Sequence, residues 1–213
     1  MFNLYKSKKK PKVFFNLGKV CNSNKILEEV NKVCTTYFEG PLVTNYKNIR
    51  KYFEHDKLAD NVKTIALITI NGLDGEEGLS VLSGNRNINH NYAYTTPMKN
   101  SKILQDLIKN VEKKLNSKCF FSRIIKLKAG GWIGRHTDGP QFNQYKYRCH
   151  ITLTKESPSI WMEINGDKYY MKRDYLYNTN VSLSHSTANY TDYDRINIIM
   201  DFFPSDVLLK MTS

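Results

Sequence analysis

The chain has 213 residues, enough for one domain with a substantial buried core. It is 40% hydrophobic with a mean hydropathy of -0.53, and no run approaches the roughly 18 apolar residues that a membrane-spanning helix requires. A formal charge of +12 points to anionic partners such as nucleic acid, acidic protein or small carboxylates. Much of that excess comes from Lys6, Lys8, Lys9, Lys10 and Lys12, which read as a solvated basic arm. No apolar stretch of signal-peptide length follows the arm, so a soluble, cytoplasmic protein is expected. Cys21, Cys34, Cys119 and Cys149 are scattered without a C-x-x-C pair, which argues against a disulfide framework and against a zinc knuckle.

After the arm, Ile26, Leu27, Val30, Val33, Cys34 and Tyr37 repeat at helical spacing and predict a helix over 23–38, closed by Gly40-Pro41. Residues 42–60 give no clear pattern. Val62 to Ile70 is rich in β-branched residues and reads as a strand. Residues 71–78 read as a turn or flexible loop, and 79–98 as polar, loop-rich chain. Ile103, Leu104, Leu107, Ile108, Val111 and Leu115 predict a second amphipathic helix over 100–116.

Then the character changes. Residues 121–128, 148–155, 159–164, 168–171, 175–177 and 195–203 read as short strands separated by turn signals such as Asn165-Gly166-Asp167. Many short strands in succession argue for a sandwich or jelly roll. The expected organisation is a single domain over 1–213. Residues 1–118 supply the arm, helices and variable loops, and residues 119–204 form a jelly-roll core, giving a mainly β fold with flanking helices (α+β).

The chemistry concentrates in that second half. The segment His136-Thr137-Asp138 is an H-x-D motif, and residues two apart on an extended chain point to the same side. One ion can therefore take an imidazole and a carboxylate from it. A second histidine, His185, lies forty-seven positions on. Two histidines and one carboxylate on one face of an octahedron leave three positions open, the facial triad of non-haem Fe(II) oxygenases. Arg195 follows ten positions later and opens a strand in which Arg195, Asn197, Ile199 and Asp201 share a face. An inward arginine is costly unless it binds an anion, and its planar fork suits a carboxylate.

Four features in order resemble the aspartyl/asparaginyl β-hydroxylase and proline hydroxylase superfamily of 2-oxoglutarate-dependent dioxygenases. They are a glycine-containing loop into HTDGP (136–140), Arg148-x-His150 opening the next strand, Asn178-Thr179-Asn180 before His185, and Arg195 ahead of an apolar strand ending Asp201-Phe202. The resemblance spans about 119–204. It implies a double-stranded β-helix (cupin-like jelly roll), with His136, Asp138 and His185 as metal ligands. It also implies Arg195, with Arg148 and His150, around the co-substrate. The implied cofactors are Fe(II), 2-oxoglutarate and O₂, with ascorbate as a stimulant. The implied reaction hydroxylates an unactivated C–H of an amino acid, free or peptidyl, as 2-oxoglutarate is decarboxylated to succinate and CO₂. It calls for no catalytic residue beyond the metal ligands.

The chain departs from the animal hydroxylases of secreted domains, which carry HTGP where this chain has the acid Asp138. An alternative within the oxygenase class is a nucleic-acid demethylase, encouraged by the charge. The final strand, Arg195 to Asp201, lacks the threonine and second arginine of the pattern R-x-N-x-T-x-R that those enzymes resemble. A non-enzymatic jelly-roll binding protein is the alternative from another class. No membrane partner is expected.

Overall fold

The structure is a computed structural model that describes residues 12–38, 44–45, 62–80, 90–138 and 146–213. The basic arm up to residue 11, most of 42–60, residues 81–89 and Gly139-Pro140 lie outside the described residues.

Two antiparallel sheets dominate. Their strands are β1 (Phe14–Lys19), β2 (Thr44–Asn45), β3 (Val62–Ile70), β4 (Tyr92–Tyr94), β5 (Cys119–Leu127) and β6 (Trp132–His136). Further on come β7 (Tyr147–Thr152), β8 (Ile160–Ile164), β9 (Asp167–Tyr169), β10 (Tyr175–Thr179), β11 (His185–Asn189) and β12 (Arg195–Phe202). The larger sheet runs β1-β10-β7-β12-β5-β3-β2, with β4 also on β3, and the smaller runs β6-β11-β8-β9. From β5 onward the chain alternates between the sheets except at the β8-β9 hairpin, which lies wholly in the smaller sheet, so β5, β12, β7 and β10 face β6, β11, β8 and β9. That is the topology of a jelly roll, as expected. The expectation that 1–118 merely flanks this core needs one addition: β1, β2, β3 and β4 extend the larger sheet itself.

The helices are α1 (Ser23–Phe38), α2 (Gly75–Ser80), α3 (Thr96–Lys99), α4 (Lys102–Leu115) and α5 (Asp206–Met211). Alternation in the sheet decides what each strand shows them. Cys149, Ile151, Ile196, Ile198, Met200 and Phe202 pack in one core with Val30, Leu104, Ile108, Val111 and Leu115. Each such buried aliphatic or aromatic side chain contributes about 1.5–3 kcal/mol by leaving water. The alternate residues of β7 and β12 face the other way, into the roll. There Ile125, Leu127 and Ile199 meet Ile133 of the smaller sheet.

Local signals account for the ends. In α4, Ser101 caps the start by accepting from Leu104 N, and Asn116 closes it in the left-handed region at φ 46°. Asn165 and Gly166, both at positive φ, form the two-residue turn between β8 and β9 that the sequence predicts. The loop expected over 71–78 holds instead a turn at Asn71-Gly72 followed by α2.

Asp174, at φ 74°, accepts from Ser23 N at 2.7 Å and so places a carboxylate at the start of α1. Burial alone would raise its pKa; the bonds from Ser23 and the nearby Lys19 outweigh that and hold it below the usual range. Asp174→Asn tolerates the same backbone conformation and removes only the charge. We expect it to lower stability by about 0.3–1 kcal/mol at neutral pH. A depressed carboxyl stabilises above its unfolded pKa, so thermal melts of variant and parent converge as pH falls through the acidic range.

Candidate metal centre

The three ligand candidates come together where β6 ends and β11 begins. His136 is the last residue of β6 and His185 the first of β11, and the two are directly paired across the sheet. Their rings lie 4.2 Å apart, centroid to centroid. Asp138 is fixed just beyond β6 by its N–H, which donates to Val181 O at 2.9 Å. His136 Nε2 is 3.5 Å from Asp138 Oδ1, and His185 Nε2 is 4.0 Å from Asp138 Oδ2. One ligand atom from each residue falls within 4.8 Å of the others.

The far side of each ring favours one tautomer. His136 Nδ1 lies 2.7 Å from Gly134 O and His185 Nδ1 2.9 Å from Leu183 O. A carbonyl only accepts, so each Nδ1 donates and each Nε2 turns a lone pair toward the other ligands. Two imidazoles and a carboxylate, converging at spacings that bonds of about 2.0–2.2 Å can close, fit a divalent transition metal. His185 is buried while His136 and Asp138 are partly exposed, so the centre sits at the rim of the roll and is open to solvent on one side.

Beneath it lies a buried ion pair. Arg148 of β7 and Asp201 of β12 are cross-strand partners, joined by two parallel hydrogen bonds of 2.7 Å from Nε and Nη2 to the two carboxylate oxygens. Arg148 Nη1 also donates to Asp138 Oδ2. Asp201 is fully buried and Arg148 nearly so. Burial alone would raise the pKa of Asp138. The Arg148 guanidinium outweighs it and, with His136, His185 and Arg123, holds Asp138 ionised far below the usual carboxylate range. Arg148, expected beside the co-substrate, therefore already has its fork engaged.

Further into the roll, a small cavity is lined by His150, Thr187, Arg195, Asn197 and Ile199. His150 Nε2 and Arg195 Nε are buried there without a hydrogen-bond partner. Burial, and then Arg148 and Arg195, push His150 well below its ordinary pKa, so it is neutral. Burial lowers Arg195 to about 10. Sequence reading did not single out Thr187 or Arg123. Arg123 shares the inward face of β5 with Ile125 and Leu127, a position that its place in an apolar alternating strand marks.

A model of the family described as aspartyl/asparaginyl beta-hydroxylase matches residues 46–204, well over half of the chain. The chain belongs to that family. The match reaches upstream of the stretch from 119 in which the sequence motifs lie. As a family member the protein is an enzyme, a hydroxylase. Among solved structures it is similar to a 2OG-Fe(II) oxygenase family oxidoreductase from Burkholderia pseudomallei, at 8% identity over 74% of this chain and 75% of that one, TM-score 0.46. It is also similar to AviO1 from Streptomyces viridochromogenes, at 10% identity over 92% and 91%, TM-score 0.46. A predicted oxalate decarboxylase from Thermotoga maritima aligns at 18% identity over 44% and 74%, TM-score 0.33. No curated protein sequence matches the chain. Among the described residues no helix is long and apolar enough to cross a membrane.

Proposed function

We propose that this hydroxylase is Fe(II)- and 2-oxoglutarate-dependent and acts on an unactivated C–H of an amino acid, free or peptidyl. The observation that carries the reading is one interior face presenting an open His-Asp-His triad at its rim and, deeper in, a buried Arg195 whose Nε has no hydrogen-bond partner. His136, Asp138 and His185 would hold the iron. When bound, iron supplies the O₂ chemistry that couples 2-oxoglutarate decarboxylation, to succinate and CO₂, to hydroxylation. Arg195 takes the distal carboxylate of 2-oxoglutarate, and His150, Thr187 and Asn197 line the space between. Arg148 reads as a positioning residue, keeping Asp138 ionised and oriented. Arg123, on the same face and close enough to act on Asp138, is the cation offered to a substrate carboxylate. No side chain has to move a proton in this scheme; the protein positions the reactants and excludes water.

The test is succinate release from 2-oxoglutarate with Fe(II) and ascorbate across a panel of amino acids and short peptides. Mass spectrometry would look for one added oxygen in the substrate. Release that never exceeds a chelated control would count against the reading. Arg195→Met removes a charge-assisted pair worth about 1.5–3 kcal/mol, so the 2-oxoglutarate concentration at half-maximal rate should rise roughly ten- to hundredfold.

A further inference from the structure

Arg195 borders two cavities. One is the small inner space that His150, Thr187 and Asn197 also line. The other, of about 410 Å³, opens at the opposite end of the roll. Arg195 is the single residue common to the two linings. Strand register fixes the separation. Asp201, at the metal end, pairs with Arg148 and Phe121, whereas Arg195 pairs with Leu127 six residues back along β12. On β8, Ile164 lies opposite His185, whereas Ile160 and Trp161, in the outer lining, lie opposite Asn189 and Ala188.

The outer cavity combines apolar walls with basic side chains. Its side walls are Trp161, Met162, Tyr170 and Met171, and exposed Lys155 and Lys172 stand in its lining. Glu156 is also there, accepting from Arg173 N at 3.2 Å. At the inner end, Arg195 Nη2 lies 3.9 Å from Met171 Sδ. A thioether is a weak acceptor and does not satisfy a guanidinium, so the side chain faces the outer cavity with unspent capacity. Methionine walls rearrange at low cost.

We propose that this cavity is the passage by which the dicarboxylate co-substrate reaches Arg195 and by which succinate leaves, separate from the mouth at the metal that takes the C–H substrate. The proposal rests on the reading of Arg195 as the carboxylate anchor. Physically, the lysines concentrate a dianion at the entrance, and the first full charge it meets inside is the guanidinium that seats it. A substrate occupying the metal mouth then does not lock the co-substrate in or out.

The test is stopped-flow binding of 2-oxoglutarate to the Mn(II)-loaded protein without O₂, read by Trp161 fluorescence in a Trp132→Phe background. A passage governs rates, whereas a seat governs affinity. Met171→Phe narrows the passage, and should slow association and dissociation by the same factor while Kd stays within about twofold. Lys155→Glu with Lys172→Glu, both on the surface, should slow association about tenfold or more at low salt and lose that effect at high salt. Unchanged rates in both variants would overturn the proposal. So would a weakened Kd with an unchanged association rate in Met171→Phe, because the cavity would then be part of the seat. Arg195→Met separates the underlying reading: it should weaken Kd roughly ten- to hundredfold, and an unchanged Kd would refute the anchor assignment whatever the other variants do.

Discussion

His185→Ala is expected to abolish metal binding and hydroxylase activity while leaving the fold in place. The Nδ1 bond of its side chain to Leu183 O is local. Its Nε2 is one of three converging donors, and loss of a direct ligand should exceed the roughly 10–100-fold affinity loss that follows loss of an outer partner. The clean readout is metal-induced stabilisation. A metal at a hundred times its Kd stabilises the native state by about 2.7 kcal/mol. Adding Mn(II) or Co(II) should therefore raise the melting temperature of the parent and leave His185→Ala unmoved. His150→Ala is the matched control: it too is a buried histidine on the inner face, but it lies outside the triad. It should retain the metal-induced shift. A shift that survives in His185→Ala, or vanishes equally in both, would refute the assignment of ligands.

The sequence made some parts of this molecule far easier to read than others. Strand β3 and helices α1 and α4 were legible because their apolar spacing is imposed by one continuous core. Strands β7 and β12 were legible because they alternate against that same core. The two strands that carry the histidines were not. Trp132–His136 holds a glycine and three polar or exposed positions, and His185–Asn189 reads His-Ser-Thr-Ala-Asn. Both belong to the smaller sheet, and their inner positions serve a polar site where an ordinary strand would bury aliphatic residues. Polar side chains at those positions break the periodicity by which a strand is recognised. The triad survived as a motif because H-x-D depends on side-chain identity alone. Strand β1 went unread for a different reason: its six residues follow directly on the basic arm and carry a glycine at φ 92°.

Arg148 shows the opposite limit. Its position two before His150 puts the two on one face of the strand, and in the structure Arg148, His150 and Thr152 sit opposite Asp201, Ile199 and Asn197. The pairing of its charge was invisible in one dimension, because Asp201 lies fifty-three residues away and meets it only across two adjacent strands. A buried pair of this kind does not have to be a net source of stability, but removing one partner strands the other in a low-dielectric interior.

From this follows the second large effect. Arg148→Met should cost about 3–5 kcal/mol in chemical denaturation, because it takes the guanidinium away from the fully buried Asp201, and Asp201→Asn should cost less, because Arg148 keeps its pair with Asp138. The double variant should cost clearly less than the two singles combined, and strict additivity would mean that the pair is not coupled. The two singles should also differ at the metal. Arg148 also holds Asp138, so Arg148→Met should weaken metal binding by about 10–100-fold, as expected when the outer partner of a ligating carboxylate is lost. In Asp201→Asn the guanidinium keeps its bond to Asp138, and metal affinity should fall less. Arg148→Lys discriminates further. It restores a positive charge but not a planar fork able to grip Asp201 with two bonds and Asp138 with a third. It should recover part of the stability lost in Arg148→Met without recovering metal affinity in proportion. If affinity returned fully with lysine, charge alone would explain the role of Arg148, and the three-point geometry linking β7, β12 and the metal ligand would be dispensable.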